Sequence, residues 1–130
     1  MKVLLDTCAF LWITTEDEQL SETARQIFKN PKNEMFLSSV SMWEIMVKNG
    51  IGKLPLPSPS PIEEFIAAQR IKHEIETLPL TEKAVFHLGT LPKHHKDPFD
   101  RMLICQAIEH DLMILTSDGL IMQYPVKTVW

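Results

Sequence analysis

The sequence predicts an α/β fold: a three-layer sandwich with a central, mostly parallel sheet flanked by helices. Three observations carry that expectation. The chain has 130 residues, a length that suits one compact domain over residues 1–130 with one core. Short apolar runs of strand length alternate along it with longer stretches of helical character. The first run, Lys2 to Asp6, is apolar until it ends in an acid, the pattern of a parallel strand buried on both faces.

The remaining elements follow in order. Thr7 to Trp12 begin a helix, and Leu20 to Lys29 form another, with Ser21 as its cap and Asn30-Pro31 as its stop. Glu34 to Ser38 give a second strand, and Ser41 to Asn49 a helix closed by Gly50. From Leu54 to Pro61 proline alternates with small or apolar residues, which excludes regular helix or central strand and predicts a loop across one face. A helix from Ile62 to about Ile71 precedes a strand from Glu76 to Leu80. Thr81 opens a helix to about Leu88, and Asp97-Pro98 start one that continues to His110. Leu112 to Thr116 form a strand, Asp118 to Met122 a short helix, and Lys127 to Val129 a last strand.

The composition, 45% hydrophobic and 23% charged, is that of a globular protein, and no apolar run approaches the ~20 residues of a membrane span. The opening Met1-Lys2-Val3-Leu4-Leu5-Asp6 reaches a charge too soon for a secretory signal. Cys8 and Cys105 are expected to be two buried thiols in a cytoplasmic protein. A net charge of −4 argues against a non-specific electrostatic binder of nucleic acid, which needs a broad basic face. It does not exclude a nucleic-acid substrate, because four carboxylates gathered around cations would leave the rest of the chain balanced.

Ligand sites in a parallel α/β sheet gather beyond the carboxyl ends of the strands. Asp6 ends the first strand, Asp118 follows Leu112–Thr116 by two residues, and Glu44 and Asp100 fall near the first turns of two helices. Four acids from distant parts of the chain thus converge on one rim. Such a cluster is costly alone, since like charges raise one another's pKa. Hard divalent ions resolve the cost, and a metal pair can then activate water and neutralise charge on a phosphodiester. Each acid also has a structural reading. Asp6 suits a helix N-cap, and Glu44 suits a capping box with Ser41 in the pattern Ser-x-x-Glu. Asp97, before Pro98, suits an N-cap, and Asp118 in Thr-Ser-Asp-Gly suits a turn. Asp100 heads the apolar stripe Leu103, Ile104, Ala107 and Ile108, which aims it at the sheet edge.

Four stretches in this order, Leu4-Leu5-Asp6-Thr7, Ser41-Met42-Trp43-Glu44-Ile45, His95 to Ala107 with its Asp97-Pro98-Phe99-Asp100-Arg101 core, and Leu115-Thr116-Ser117-Asp118, resemble the PIN-domain ribonucleases, specifically the VapC-type toxins of bacterial toxin–antitoxin pairs. The resemblance covers nearly the whole chain. It implies a PIN-like parallel sheet, dependence on Mg²⁺ or Mn²⁺, hydrolysis of RNA, a homodimer, and a cognate antitoxin as partner. Carried over, Asp6, Glu44, Asp100 and Asp118 are the catalytic metal ligands, and Thr7, Asp97, Thr116 and Ser117 support them.

The basic run Lys93-His94-His95-Lys96 is either a phosphate contact or a solvated loop; zinc is disfavoured because no further ligand follows at the required spacing. Lys48 and Arg101 either reach the cleft or pair with neighbouring acids. Trp12, Trp43 and Phe99 fit core or dimer packing better than base stacking. No covalent nucleophile and no Gly-rich phosphate loop is evident, so the expected chemistry is hydrolysis by water attacking phosphorus in line. The alternatives are a phosphoacceptor signalling domain, which wants paired acids after its first strand and a late lysine that this chain lacks, and a non-catalytic partner-binding module.

Overall fold

A computed structural model describes residues 1–56 and 59–130; the centre of the proline-rich loop expected over Leu54 to Pro61 lies outside the described residues. Five strands form one sheet in the order β3-β2-β1-β4-β5: β1 (Lys2–Leu5), β2 (Glu34–Ser38), β3 (Ile75–Leu78), β4 (Met113–Leu115) and β5 (Thr128–Val129). Every neighbouring pair is parallel, with Leu5 opposite Leu37 on one side and Leu115 on the other. The sheet is therefore wholly rather than mostly parallel.

Continuous apolar runs suit this sheet because both of its faces are covered. Side chains alternate along a strand, so Val3 and Leu5 join one core cluster while Leu4 joins the other. The same alternation divides Met35 and Leu37 from Phe36, and Met113 and Leu115 from Ile114. Helices α1 (Thr7–Thr15), α2 (Glu22–Lys29) and α4 (Ile62–His73) contribute Phe10, Ala24 and Phe65 to the first cluster. Helix α6 (Pro98–His110) contributes Leu103, Ile104 and Ala107 to the second. Helix α3 (Ser39–Gly50) sends Ile45 to the first cluster and Val40 to the second, while the short α5 (Glu82–Phe86) packs beside α6.

Several helix starts lie where the sequence predicts, with Ser21 capping α2, Thr81 capping α5 and Asp97 capping α6 ahead of Pro98. Helix α3 begins two residues earlier than expected. The Ser38 hydroxyl at the end of β2 accepts the Val40 N–H, so the cap is taken before Ser41 is reached. The short helix expected over Asp118 to Met122 is instead a turn followed by a 3₁₀ segment, Ile121–Gln123.

Strand order reverses at β1: β2 and β3 are added on one side, β4 and β5 on the other. The crevice beyond the carboxyl ends of β1 and β4 is the switch point at which such sheets bind ligands. Asp6 and Asp118 stand at this crevice.

Candidate active site

Asp6 follows β1 directly, and its backbone N–H still pairs with the Leu115 carbonyl, so the strand fixes its position. Its carboxylate is buried and fully engaged. Oδ1 accepts the Ala9 N–H at 2.7 Å, capping α1, and Oδ2 accepts the Thr116 hydroxyl at 2.5 Å. The capping reading of Asp6 is met by the same side chain that stands at the crevice. Thr116, fully buried at the end of β4, also accepts the Asp118 N–H at 3.0 Å. One threonine therefore ties the acid after β1 to the acid after β4.

Glu44 lies in the second turn of α3, not the first, and is buried. It does not form the expected capping box, because Ser41 lies inside the helix with its hydroxyl 3.0 Å from that of Thr7. The Thr7 hydroxyl donates to Glu44 Oε1 at 2.6 Å, and Lys48, one turn on, pairs with Oε2. Lys48 also stands 3.8 Å from Asp97, so it answers charge on this rim as well as on its own helix. Asp97 caps α6 through Oδ1, accepting from the N–H groups of Phe99 and Asp100. Replacing Asp97 with alanine is expected to cost about 1 kcal/mol in urea denaturation, and asparagine, which keeps the cap, only a few tenths.

The charges crowd one another. Burial raises Asp6 from its ordinary carboxylate range to about 6, with the neighbouring charges of Asp118 and Glu44 adding to it against its hydrogen bonds. Asp100 is also raised, first by burial and then by Asp97, Glu44 and Asp6, while His95 opposes the rise. Asp6, Glu44, Asp100 and Asp118 thus sense one another across a rim too short of positive charge. An all-oxygen donor set under like-charge strain fits a hard divalent cation.

His95 is the residue that sequence reasoning misplaced. It is not a solvated loop side chain: its ring is about one-tenth exposed and sits between two of the acids. Nε2 lies 2.8 Å from Asp118 Oδ2 and 3.0 Å from Asp100 Oδ2, so the three side chains meet at one point. Its proximity to Asp100 along the chain was the available signal; its reach to Asp118 was not legible locally. Ser117 is exposed and no hydrogen bond links its side chain to the cluster. Cys8 is exposed rather than buried. Partial desolvation and the charges of Asp6, Glu44 and Asp100 push its thiol up to about 11, which leaves it protonated and unsuited to nucleophilic attack.

The family model for the PIN domain matches residues 3–125. The chain belongs to the PIN domain family. It is 27% identical to Ribonuclease VapC22 of Mycobacterium tuberculosis over 133 residues, covering 98% of each chain. Among solved structures it is similar to VapBC2 from Rickettsia felis bound to a promoter DNA fragment (TM-score 0.68, 16% identity, 99% and 98% of the two chains covered). It is likewise similar to DNA-bound VapBC from Salmonella typhimurium (TM-score 0.66, 20% identity, 99% and 97% covered). These likenesses span nearly the full length of this PIN domain.

In this PIN domain Lys93, His94 and Lys96 are exposed on the loop before α6, which Tyr124 anchors by accepting the His95 N–H at 2.8 Å. On α3, Trp43 is 57% exposed and meets Phe99 edge-on at 4.8 Å; Phe99 packs against the second core cluster, whereas Trp43 lies outside the core. Trp12 packs edge-on against Trp130 at 5.5 Å, as expected for a structural residue. Arg101 is half-buried on α6, and no ion pair joins it to an acid of the cluster.

Proposed function

We propose that this PIN domain is a Mg²⁺- or Mn²⁺-dependent endoribonuclease and the toxin of a toxin–antitoxin pair. The observation that carries the reading is the convergence of Asp6, Glu44, Asp100 and Asp118 on the switch-point crevice of a PIN fold. The similarity to a VapC ribonuclease supports the substrate class, and the similarity to VapBC complexes supports the antitoxin as partner. Asp6, Glu44, Asp100 and Asp118 are the residues that would hold the ion. When bound, it supplies the positive charge that activates water and stabilises the phosphorane-like transition state.

The protein's own groups do the rest. Thr7 orients Glu44, Thr116 holds Asp6 and positions the turn carrying Asp118, and Lys48 offsets the charge of Glu44. Lys93 and Lys96, exposed on the loop before α6, would meet phosphates of the RNA strand. The exposed apolar side chains of Trp43, Met46, Val47 and Ile51 on and just after α3 support a protein partner, antitoxin or second copy, on that face. No helix among the described residues is long and apolar enough to cross a membrane.

The test is cleavage of a mixed single-stranded RNA pool by protein freed of any partner. Cleavage in Mg²⁺ or Mn²⁺ that stops in EDTA and resumes on adding the ion back is the expected result. Cleavage indifferent to EDTA, or RNA left intact by folded, ion-loaded protein, contradicts the reading.

A further inference from the structure

We propose that His95 is a positioning residue that straps the Asp100 and Asp118 carboxylates together and gives way to the entering cation. The inference rests on the reading of the four acids as cation ligands.

The hydrogen-bond pattern defines the role. The Asp97 backbone N–H donates to His95 Nδ1 at 3.1 Å, so Nδ1 presents its lone pair and the ring proton resides on Nε2. Nε2–H then points at Asp118 Oδ2 and Asp100 Oδ2 together, at 2.8 and 3.0 Å. A metal-ligating histidine has the opposite arrangement: its ligating nitrogen offers a lone pair to the ion and its other N–H donates to an acceptor. His95 is therefore a donor to the acids and not one of the ligands.

A divalent cation held by Asp100 and Asp118 would draw on the same Oδ2 oxygens that Nε2–H engages. Ring and ion compete for the same oxygens. The backbone need not move with the ring, since the His95 N–H is tied to the Tyr124 hydroxyl and the ring can leave by side-chain rotation. Before an ion arrives, the strap holds together two carboxylates from α6 and the loop after β4 that would otherwise repel. Sequence separations of 5 and 23 residues make it a tertiary clamp rather than a local turn feature.

Two measurements on wild type, His95→Ala and His95→Gln test the clamp: melting in EDTA, and titration calorimetry with Mn²⁺ and Mg²⁺. His95→Ala is expected to melt a few degrees lower in EDTA yet to bind both ions about fivefold more tightly, the factor one ordinary hydrogen bond is worth. Glutamine keeps an N–H donor and restores both values toward wild type. If His95→Ala does not fold, His95→Asn, too short to reach both carboxylates, carries the same expectation. Weaker binding, most of all of Mn²⁺, makes His95 a ligand and overturns the clamp, as does affinity unchanged in the variant. Wild type that binds neither ion overturns the four-acid reading itself, whereas the EDTA melts report on the strap independently of that reading.

Discussion

Replacing Asp6 with asparagine is expected to lower RNA cleavage about a hundredfold or more and, in the same molecule, to raise the melting temperature of metal-free protein. Asparagine has the shape of the aspartate and can still accept the Ala9 N–H, while the Thr116 hydroxyl can turn to accept from the new amide. What it removes is a buried charge facing Asp118 and Glu44. Folding raises Asp6 from 3.8 to about 6, so above pH 7 the ionised group opposes folding by on the order of 3 kcal/mol. The variant should gain a large part of this, roughly 5–10 °C in melting temperature at pH 8.

The sign with pH follows from linkage. Between 3.8 and about 6 the native Asp6 holds a proton that the unfolded chain has released, so lowering the pH through this window stabilises the native state. Wild type therefore gains on the variant as pH falls from 8 toward 4, and the difference in their melting temperatures closes. Saturating Mg²⁺ should also close it, by stabilising wild type alone. Cleavage should fall about a hundredfold or more, as it does when a charge-stabilising group is lost from an active site. Equal stability of the two proteins at pH 8 in EDTA would show that the acids do not strain the fold.

Leu5→Ala is expected to be the most damaging of the substitutions considered for stability. Leu5 is fully buried beside Leu37 and Leu115 at the centre of the sheet, in the residue before Asp6. Truncation leaves a cavity that flanking strands cannot close, costing about 3–4 kcal/mol and lowering the melting temperature by roughly 10 °C. Because the backbone N–H of Asp6 remains paired with Leu115, the molecules that stay folded should keep most of their activity. Leu120→Ala, at an exposed position, is the control and should stay within about 0.5 kcal/mol. Thermal melts and cleavage per folded molecule thus separate positions that build the scaffold from positions that carry chemistry.

Much of this organisation was legible along the chain, for reasons specific to particular residues. An apolar strand ending in an acid marks Asp6, because Val3, Leu4 and Leu5 are fully buried in the two core layers and Asp6 is the first polar side chain after them. Asp97-Pro98 marks the start of α6, because a capping acid and a fixed φ are both local devices. The failures share a cause. The Ser41–Glu44 pattern matches a capping box, but the end of β2 places Ser38 where the cap forms first, and Thr7 from α1 claims Ser41 and Glu44 instead. His95 reads as part of a basic loop because its partner Asp118 is 23 residues away and meets it only through the fold. The apolar neighbours of Cys8 predict burial, yet it falls on the solvent side of α1 while Ala9 and Phe10 turn inward. Local chemistry set the elements; tertiary contact decided which polar groups serve the site.

The most direct test of the four-acid site is a crystal soaked in Mn²⁺ and measured for anomalous scattering. The account predicts a peak among the carboxylates of Asp6, Glu44, Asp100 and Asp118, about 2.2 Å from the oxygens that bind it. A well-occupied peak elsewhere, with these four side chains left in hydrogen bonds to Thr116, Thr7 and His95 alone, would contradict it.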